Sequence, residues 1–240
     1  MNKTAISWTQ MSWNPTTGCS KVSAGCKNCY AEKIALELQA RGKRSYSNGF
    51  ELTLQPYRLN QPRELTEPTL IFANSMSDLF HEAIRLEYIQ AAFKVMNKCP
   101  QHTFQILTKR SGNLLKYAPE LVWSDNIWMG VTVENDEVLY RIDDLRKVPA
   151  KIKWLSLEPL LCPLPNLNLN EIEWGVVGGE HADDFRPMDI AWVRDIRDQC
   201  LAQNVPFFFK QYAAQYPKSL GDYLDGRQWH EYPMGTMVAG

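Results

Sequence analysis

Short apolar runs alternate with helical patterns along most of this 240-residue chain, and this alternation limits its fold more than any other feature. The runs are of strand length and largely apolar, and the continuously apolar first run is typical of a strand covered on both faces. The runs lie at residues 69–73, 104–107, 127–133, 152–157, 174–177 and 205–209. Helical patterns lie at residues 28–39, 86–96, 135–145 and 190–200.

Repeated strand–helix units predict a parallel sheet with right-handed crossovers. The chain contains six or seven such units. This number favours an α/β fold with a partial or complete (β/α) TIM-type barrel over a compact doubly wound sheet. Because no low-complexity linker divides the chain, we predict one barrel domain over residues 1–212. Residues 213–240 lack clear periodicity and are predicted to be a C-terminal extension that closes over or beside the barrel.

Residues 43–68 interrupt the alternation. They hold apolar anchors among polar residues together with Pro56, Pro62 and Pro68, which is typical of irregular backbone. We expect an excursion from the barrel that can serve as a flap.

The charges of the chain are balanced, with 26 Lys and Arg against 27 Asp and Glu. A net charge of -1 gives no general attraction to nucleic acid. A local basic cluster of Arg41, Lys43 and Arg44 follows the first helix, although a solvated surface explains such a cluster as well. The sequence shows neither a long apolar run nor an export signal, so we expect a cytoplasmic protein without a membrane partner.

Polar residues follow the end of each predicted strand, and in a parallel barrel these ends meet on one face, where binding sites are built. Proximity to solvent is an alternative explanation for any one of them. The residues are Asn74, Ser75 and Asp78; Thr108 and Lys109; Thr132 and Glu134; Ser156 and Glu158; Gly178, Gly179 and Glu180; and Lys210 and Gln211.

The glutamates at three of these strand ends, Glu134, Glu158 and Glu180, have lysines at neighbouring strand ends. We expect them to pair with these lysines, to orient a substrate ammonium group or to move protons. The Gly178–Gly179 pair allows close approach of a ligand to the backbone, and a tight turn explains it equally well.

Half of the six cysteines lie within eleven residues, at Cys19, Cys26 and Cys29. The spacing C-x6-C-x2-C in a glycine-bearing loop predicts three thiolates on one soft metal centre, either zinc or an iron–sulfur cluster. Cys29 lies near a predicted helix N-terminus, which favours the thiolate. The alternative to a metal centre is that the cysteines are buried and structural. If the metal is zinc, His81 is a candidate for its fourth ligand. The other cysteines are predicted to be core or surface thiols.

Several segments together resemble a widespread family of phage and bacterial three-Cys-motif proteins, and the resemblance covers nearly the whole chain. They are the cysteine loop with Cys29–Glu32, Ser75–Glu82, Leu107–Arg110, Val131–Asn135, Trp154–Pro159, Gly178–Glu180 and Phe207–Gln211. That family is similar to radical S-adenosylmethionine (SAM) enzymes, in which three cysteines hold a 4Fe-4S cluster at the mouth of a partial TIM barrel. SAM binds the fourth iron, and its reductive cleavage yields a 5'-deoxyadenosyl radical.

The resemblance implies that Cys19, Cys26 and Cys29 ligate the cluster. The chain departs from most radical SAM enzymes, which have three residues in the first gap and an aromatic residue just before the last cysteine. Their glycine–glycine–glutamate after the second strand is replaced here by Asn74, Ser75 and Asp78. The glycine pair falls instead at the sixth strand, where the superfamily often contacts adenine.

The leading hypothesis is therefore a radical SAM-like enzyme with a 4Fe-4S cluster and SAM. Its phage association favours a nucleotide or nucleic acid substrate, and it implies an electron donor such as flavodoxin or ferredoxin. The alternatives are an accessory module with structural zinc and a barrel hydrolase or lyase that uses the glutamates. Catalytic candidates are Lys109, Glu134 and Glu158, and cofactor-binding candidates are Asn74, Ser75, Asp78, Glu134, Ser156, Gly178 and Gly179.

Overall fold

The computed structural model describes residues 1–216 and 219–236. Its strands are β1 (Asn2–Lys3), β2 (Met11–Ser12), β3 (Thr16–Thr17), β4 (Thr53–Leu54), β5 (Leu70–Ala73), β6 (Thr103–Thr108), β7 (Ile127–Thr132), β8 (Ile152–Leu157), β9 (Trp174–Gly178), β10 (Phe207–Gln211), β11 (Tyr223–Leu224) and β12 (Arg227–Gln228). Its α-helices are α1 (Tyr30–Ala40), α2 (Leu86–Asn97), α3 (Ser111–Tyr117), α4 (Tyr140–Arg146) and α5 (Ile190–Ala202).

The main sheet has eight strands in the order β1-β2-β5-β6-β7-β8-β9-β10. From β2 to β10 every neighbouring pair is parallel, whereas β1 pairs with β2 antiparallel at the edge. The sheet curls into a half-barrel with helices outside it, as the alternation of strands and helices predicts. The carboxyl ends of its parallel strands therefore meet on one face.

One helix differs in its start from the sequence pattern. The residues after Asn135 form a 3-10 turn at Asp136–Val138, and α4 begins only at Tyr140. The Asn135 side chain makes no capping hydrogen bond to this turn, and its amide nitrogen donates to the carboxylate of Glu137 at 3.2 Å. The predicted single helix is thus split into two pieces.

The two faces of the sheet bury different side chains. The outer face packs aliphatic residues, together with Phe104, Phe207 and Phe209, against the helices. The inner face is lined by an aromatic-rich cluster of Trp8, Phe72, Trp128, Trp154, Trp174, Val176 and Phe208. Because side chains alternate along a strand, the same inner face continues towards the carboxyl ends with Lys109, Thr132, Ser156, Gly178 and Lys210.

The C-terminal segment pairs with the last strand of the half-barrel. The Phe209 N–H donates to the Trp229 carbonyl at 2.8 Å, and the Trp174 indole donates to the Glu231 carbonyl at 2.8 Å. Tyr232 stacks on the Trp174 ring at 5.3 Å. This contact covers the inner aromatic cluster beside β10. The domain division at residue 212 stays a prediction, and residues 217–218 and 237–240 of the predicted extension lie outside the described residues.

The segment 43–68 is tied to the barrel by buried groups. The His102 ring nitrogen Nε2 lies 3.1 Å from the Pro62 carbonyl and 3.2 Å from the Leu65 carbonyl. The buried side chain of Gln55 donates to Thr17 Oγ1 at 2.8 Å. The excursion therefore packs on the barrel and differs from a freely hinged flap.

None of the helices within the described ranges combines the length and apolar character needed to cross a lipid bilayer.

Gly179 permits a close contact between the end of β9 and the chain after β10. A β-carbon added there would lie 2.1 Å from the backbone nitrogen of Ala213. We expect Gly179→Ala to lower the free energy of unfolding by about 1–3 kcal/mol, as overpacking does, measured by urea denaturation. Gly112→Ala in α3 is the matched control, because nothing lies within 4 Å of its added β-carbon, and it should be neutral or slightly stabilising. Equal effects of the two substitutions would contradict the close contact.

Candidate functional site

The cysteine loop, residues 18–29, begins against the end of β5. The Gly18 N–H donates to the Met76 carbonyl at 2.9 Å, and Ser77 Oγ donates to the Gly18 carbonyl at 2.6 Å. Gly18 has φ +76°, and a β-carbon there would lie 2.2 Å from the Glu51 carbonyl oxygen. Glycine is required at this position, and the loop starts at the face where the strands end.

The three cysteines of this loop are free and half-buried. Cys29 is the residue that precedes the first turn of α1. Burial, followed by the charge of Asp78, raises the pKa of the Cys19 thiol to about 11. Within residues 1–216 and 219–236, no three His, Cys, Asp or Glu side chains already form a metal-binding group.

Asp78 and Arg110 hold the first cysteine. The Arg110 guanidinium donates to Cys19 Sγ at 3.4 Å, to Asp78 Oδ2 at 3.1 Å and to the Ser20 carbonyl at 2.9 Å. Asp78 in turn accepts hydrogen bonds from Thr108 Oγ1 at 2.7 Å and from the Lys109 N–H at 3.1 Å. Asp78 thus positions Arg110, which contacts the cysteine loop. Both carboxylate oxygens of Asp78 already accept hydrogen bonds.

His81 has both ring nitrogens engaged. Nδ1 lies 3.1 Å from the Ala83 N–H, which donates to it, so Nε2 carries the proton and donates to Ser20 Oγ at 2.9 Å. Burial, together with the charge of Arg110, lowers the pKa of His81. The ring supports the cysteine loop and would have to break one of these bonds to act as a zinc ligand.

Glu134 is fully buried beneath the middle of the loop. Its Oε1 accepts from the Gly25 N–H at 3.0 Å, and its Oε2 accepts from Arg141 at 2.9 Å. Burial opposes ionisation of Glu134, but the charges of Lys109 and Arg141 hold the pKa of its carboxyl below the usual value. The carboxylate therefore fixes the backbone next to Cys26.

Glu180 fixes the end of the loop. Its Oε2 accepts from the Asn28 amide at 3.0 Å and from the Arg186 N–H at 2.9 Å. Arg186 also forms an ion pair with Glu180 Oε1 and donates to the Ala24 carbonyl at 3.0 Å. Although burial opposes it, hydrogen bonds from Arg186 and Asn28 lower the pKa of Glu180.

Carboxylates after three alternate strands thus hold the cysteine loop: Asp78 after β5, Glu134 after β7 and Glu180 after β9. The sequence pattern suggests that such glutamates pair with the neighbouring lysines, but Glu134 and Glu180 pair with Arg141 and Arg186 instead. Those two arginines carry no signal in the sequence, because neither follows a predicted strand. Arg110 lies two residues after the end of β6, so its position after a strand could have identified it in the sequence.

The predicted lysine–glutamate pairing occurs at one position. Lys210 Nζ lies 2.9 Å from Glu158 Oε1, and Ser156 Oγ donates to Glu158 Oε2 at 3.2 Å. A β-carbon on Gly178 would lie 2.7 Å from Glu158 Oε1, so this glycine makes room for the glutamate. Lys109 donates to Thr132 Oγ1 at 3.3 Å. These groups form a polar, half-buried set on the inner face above the aromatic cluster.

Asn74 and Ser75 complete this face at the end of β5. Asn74 is buried and donates to Thr16 Oγ1 at 2.6 Å, while its Oδ1 has no hydrogen-bond partner among the described residues. The Ser75 carbonyl accepts from the Tyr30 hydroxyl at 2.7 Å. Tyr30 therefore reaches from the residue after Cys29 to the barrel end, and the Asn74 oxygen is free to accept a hydrogen bond.

Comparison with known proteins gives a family and a fold. The family described as "Protein of unknown function (DUF5131)" matches residues 3–233. No curated protein matches the sequence. A mutant of spore photoproduct lyase with bound AdoMet and dinucleoside spore photoproduct is similar, at 12% identity and a TM-score of 0.51, over 82% of this chain and 62% of that one. A second mutant of that lyase has 14% identity and a TM-score of 0.48 over 74% and 57%.

The similarity to the structure with bound AdoMet is one of fold. The predicted partial (β/α) barrel with parallel strands is confirmed by this similarity together with the strand order. This chain spans 62% of the length of that protein.

Proposed function

Because the chain belongs to the DUF5131 family and has a radical-SAM-type half-barrel, we propose that it is a radical SAM-like enzyme. The observation that carries the proposal is a loop with three free cysteines, held over the carboxyl ends of the strands by buried carboxylates and arginines. A loop held in this way is prepared to receive a metal centre at the mouth of the barrel.

The donor set fits a 4Fe-4S cluster. Three soft thiolates suit iron–sulfur ligation, and a set of three leaves one iron open for another ligand. Cys19, Cys26 and Cys29 would hold the cluster. The guanidinium of Arg110, which donates to Cys19 Sγ, would stabilise the thiolate form of that cysteine. When bound, such a cluster supplies the electron that cleaves SAM to methionine and a 5'-deoxyadenosyl radical.

The inner polar set fits the methionyl portion of SAM. The Glu158 carboxylate can accept from an ammonium group, Lys109 and Lys210 can donate to a carboxylate, and Asn74 Oδ1 has an open acceptor position. Ser156 orients Glu158, and Gly178 leaves the room in which Glu158 lies. These residues bind and orient, whereas Glu134 and Asp78 support the cysteine loop. Gly179 packs against the backbone of Ala213, so its role is structural.

The substrate we propose is a nucleotide or nucleic acid. Support comes from the similar lyase structure, which contains a dinucleoside together with AdoMet. A donor such as flavodoxin or ferredoxin would supply the electron, and the reaction would take place in the cytoplasm.

Anaerobic reconstitution with iron and sulfide tests the proposal. We expect a brown protein with bound iron and sulfide that releases 5'-deoxyadenosine from SAM under dithionite. Stoichiometric zinc that survives air, with unfolding on chelation, would instead favour an accessory module and contradict the enzyme.

A further inference from the structure

A basic and aromatic surface lies beside the cysteine loop on the excursion between α1 and β5. Residues 41–58 carry four basic residues and one acidic residue, whereas the whole chain has 26 basic and 27 acidic residues. We define the docking surface as Arg44, Tyr57 and Arg58. The side chain of Tyr57 is 61% exposed, Arg44 is exposed and Arg58 is half-buried.

Tyr57 and Arg58 meet at Ser45, the residue that follows Arg44 in the chain. Tyr57 OH lies 2.7 Å from Ser45 Oγ, to which Arg58 also donates, and the Arg58 guanidinium lies 5.6 Å from the centre of the Tyr57 ring. Although desolvation raises the pKa of Tyr57, the hydrogen bond with Ser45 and the charges of Arg58 and Arg44 lower it overall. Arg58 therefore lies beside both the ring and the hydroxyl partner of Tyr57.

Neither arginine is neutralised. Among the ion pairs of the described residues, no carboxylate lies within 4 Å of Arg44 or Arg58. Next to Arg58 is a polar cavity of about 80 Å³, lined by Met1, Asn2, Ser12, Asn14, Arg58 and Gln61. An exposed ring beside guanidinium groups that have no carboxylate partner is the combination that stacks a base and binds the adjacent phosphates.

Hydrogen bonds connect the docking surface to the mouth of the barrel. The Trp13 indole donates to the Arg58 carbonyl at 2.8 Å, and Thr17 Oγ1 donates to the Ser45 carbonyl at 3.0 Å, two residues before Cys19. From Arg58 the contacts continue through Asn14 to Ser75, whose carbonyl accepts from Tyr30. A strand bound at Tyr57 would lie along the edge that leads to the cysteine loop.

We infer that this surface binds single-stranded nucleic acid, with a base stacked on Tyr57 and phosphates on Arg44 and Arg58. This inference rests on the proposed function, because it names the substrate class of the proposed enzyme. Duplex binding is not expected, because the whole chain has a net charge of -1 and the surface holds few cations.

Fluorescence anisotropy with labelled single-stranded DNA and RNA of on the order of ten nucleotides tests the inference on the full, anaerobically reconstituted chain. Tyr57→Ala should weaken binding about tenfold, whereas Tyr57→Phe should keep most of it. Arg44→Ala and Arg58→Ala should each reduce the slope of log K against log salt by about 0.7. Arg194→Ala in α5 removes an exposed arginine that pairs with Asp225, and it should bind as the wild type does.

Iron, sulfide and 5'-deoxyadenosine are measured on the same preparations. A protein that releases deoxyadenosine but binds no single strand at low salt would overturn the docking surface and leave the enzyme standing. Binding that depends on Tyr57 and Arg44 in a protein without iron would support the surface and overturn the enzyme. Equal losses in Arg44→Ala and Arg194→Ala would show non-specific charge attraction and overturn the surface.

Discussion

Replacing Cys19, Cys26 or Cys29 by alanine, each in a separate variant, is expected to remove bound iron and the release of 5'-deoxyadenosine together. With two thiolates remaining, the loop has too few ligands to retain a cluster against competing buffer and sulfide. The fold should persist, because all three side chains are only half-buried and none takes part in a disulfide. Iron and sulfide assays with a urea unfolding curve separate loss of the cluster from loss of the fold.

Cys162→Ala is the matched control. Cys162 is also half-buried and free, and it lies after β8, outside the cysteine loop. We expect it to retain full iron content. If all four variants kept their iron, or if Cys162→Ala lost as much as the loop variants, ligation by the cysteine loop would be wrong.

The fold could be predicted from the sequence because its signal is local and repeated. A continuously apolar strand such as Ile127–Thr132 has to be covered on both faces, and only a parallel sheet with helices outside it does this for a series of strands. The pattern did not show how far the sheet closes. Closure depends on contacts between distant segments, such as the stacking of Tyr232 on Trp174.

The candidate site could be predicted only in part, for a physical reason. Strand ends mark where polar residues gather, and this placed Asp78, Glu134 and Glu158 on one face. Their partners are set by three-dimensional distance. Arg141 reaches Glu134 from the first turns of α4, and no rule of spacing distinguishes it from a surface arginine. Glu134, whose position at a strand end suits proton transfer, therefore pairs with Arg141 and positions the cysteine loop.

Glu134→Ala is expected to lower the free energy of unfolding by about 3–5 kcal/mol, because it leaves the charge of the buried Arg141 guanidinium without a carboxylate partner. The side chains of Arg141 and Glu134 are 2% and 0% exposed, so water cannot replace the lost carboxylate. Asp125→Ala, which breaks the exposed pair with Lys151, is the control and should cost about 0–1 kcal/mol. Urea denaturation measures both.

The double variant Glu134→Leu, Arg141→Met separates stability from support of the loop. It removes both charges and keeps the volume, so most of the lost stability should return. The Gly25 N–H still lacks its acceptor, so iron affinity should remain about 10–100-fold below that of the wild type, as is usual when an outer contact of a metal site is lost. Full recovery of both stability and iron would show that Glu134 serves only the barrel. Recovery of stability alone would show that the same carboxylate, placed by β7 and neutralised by α4, also sets the position of the cysteine loop.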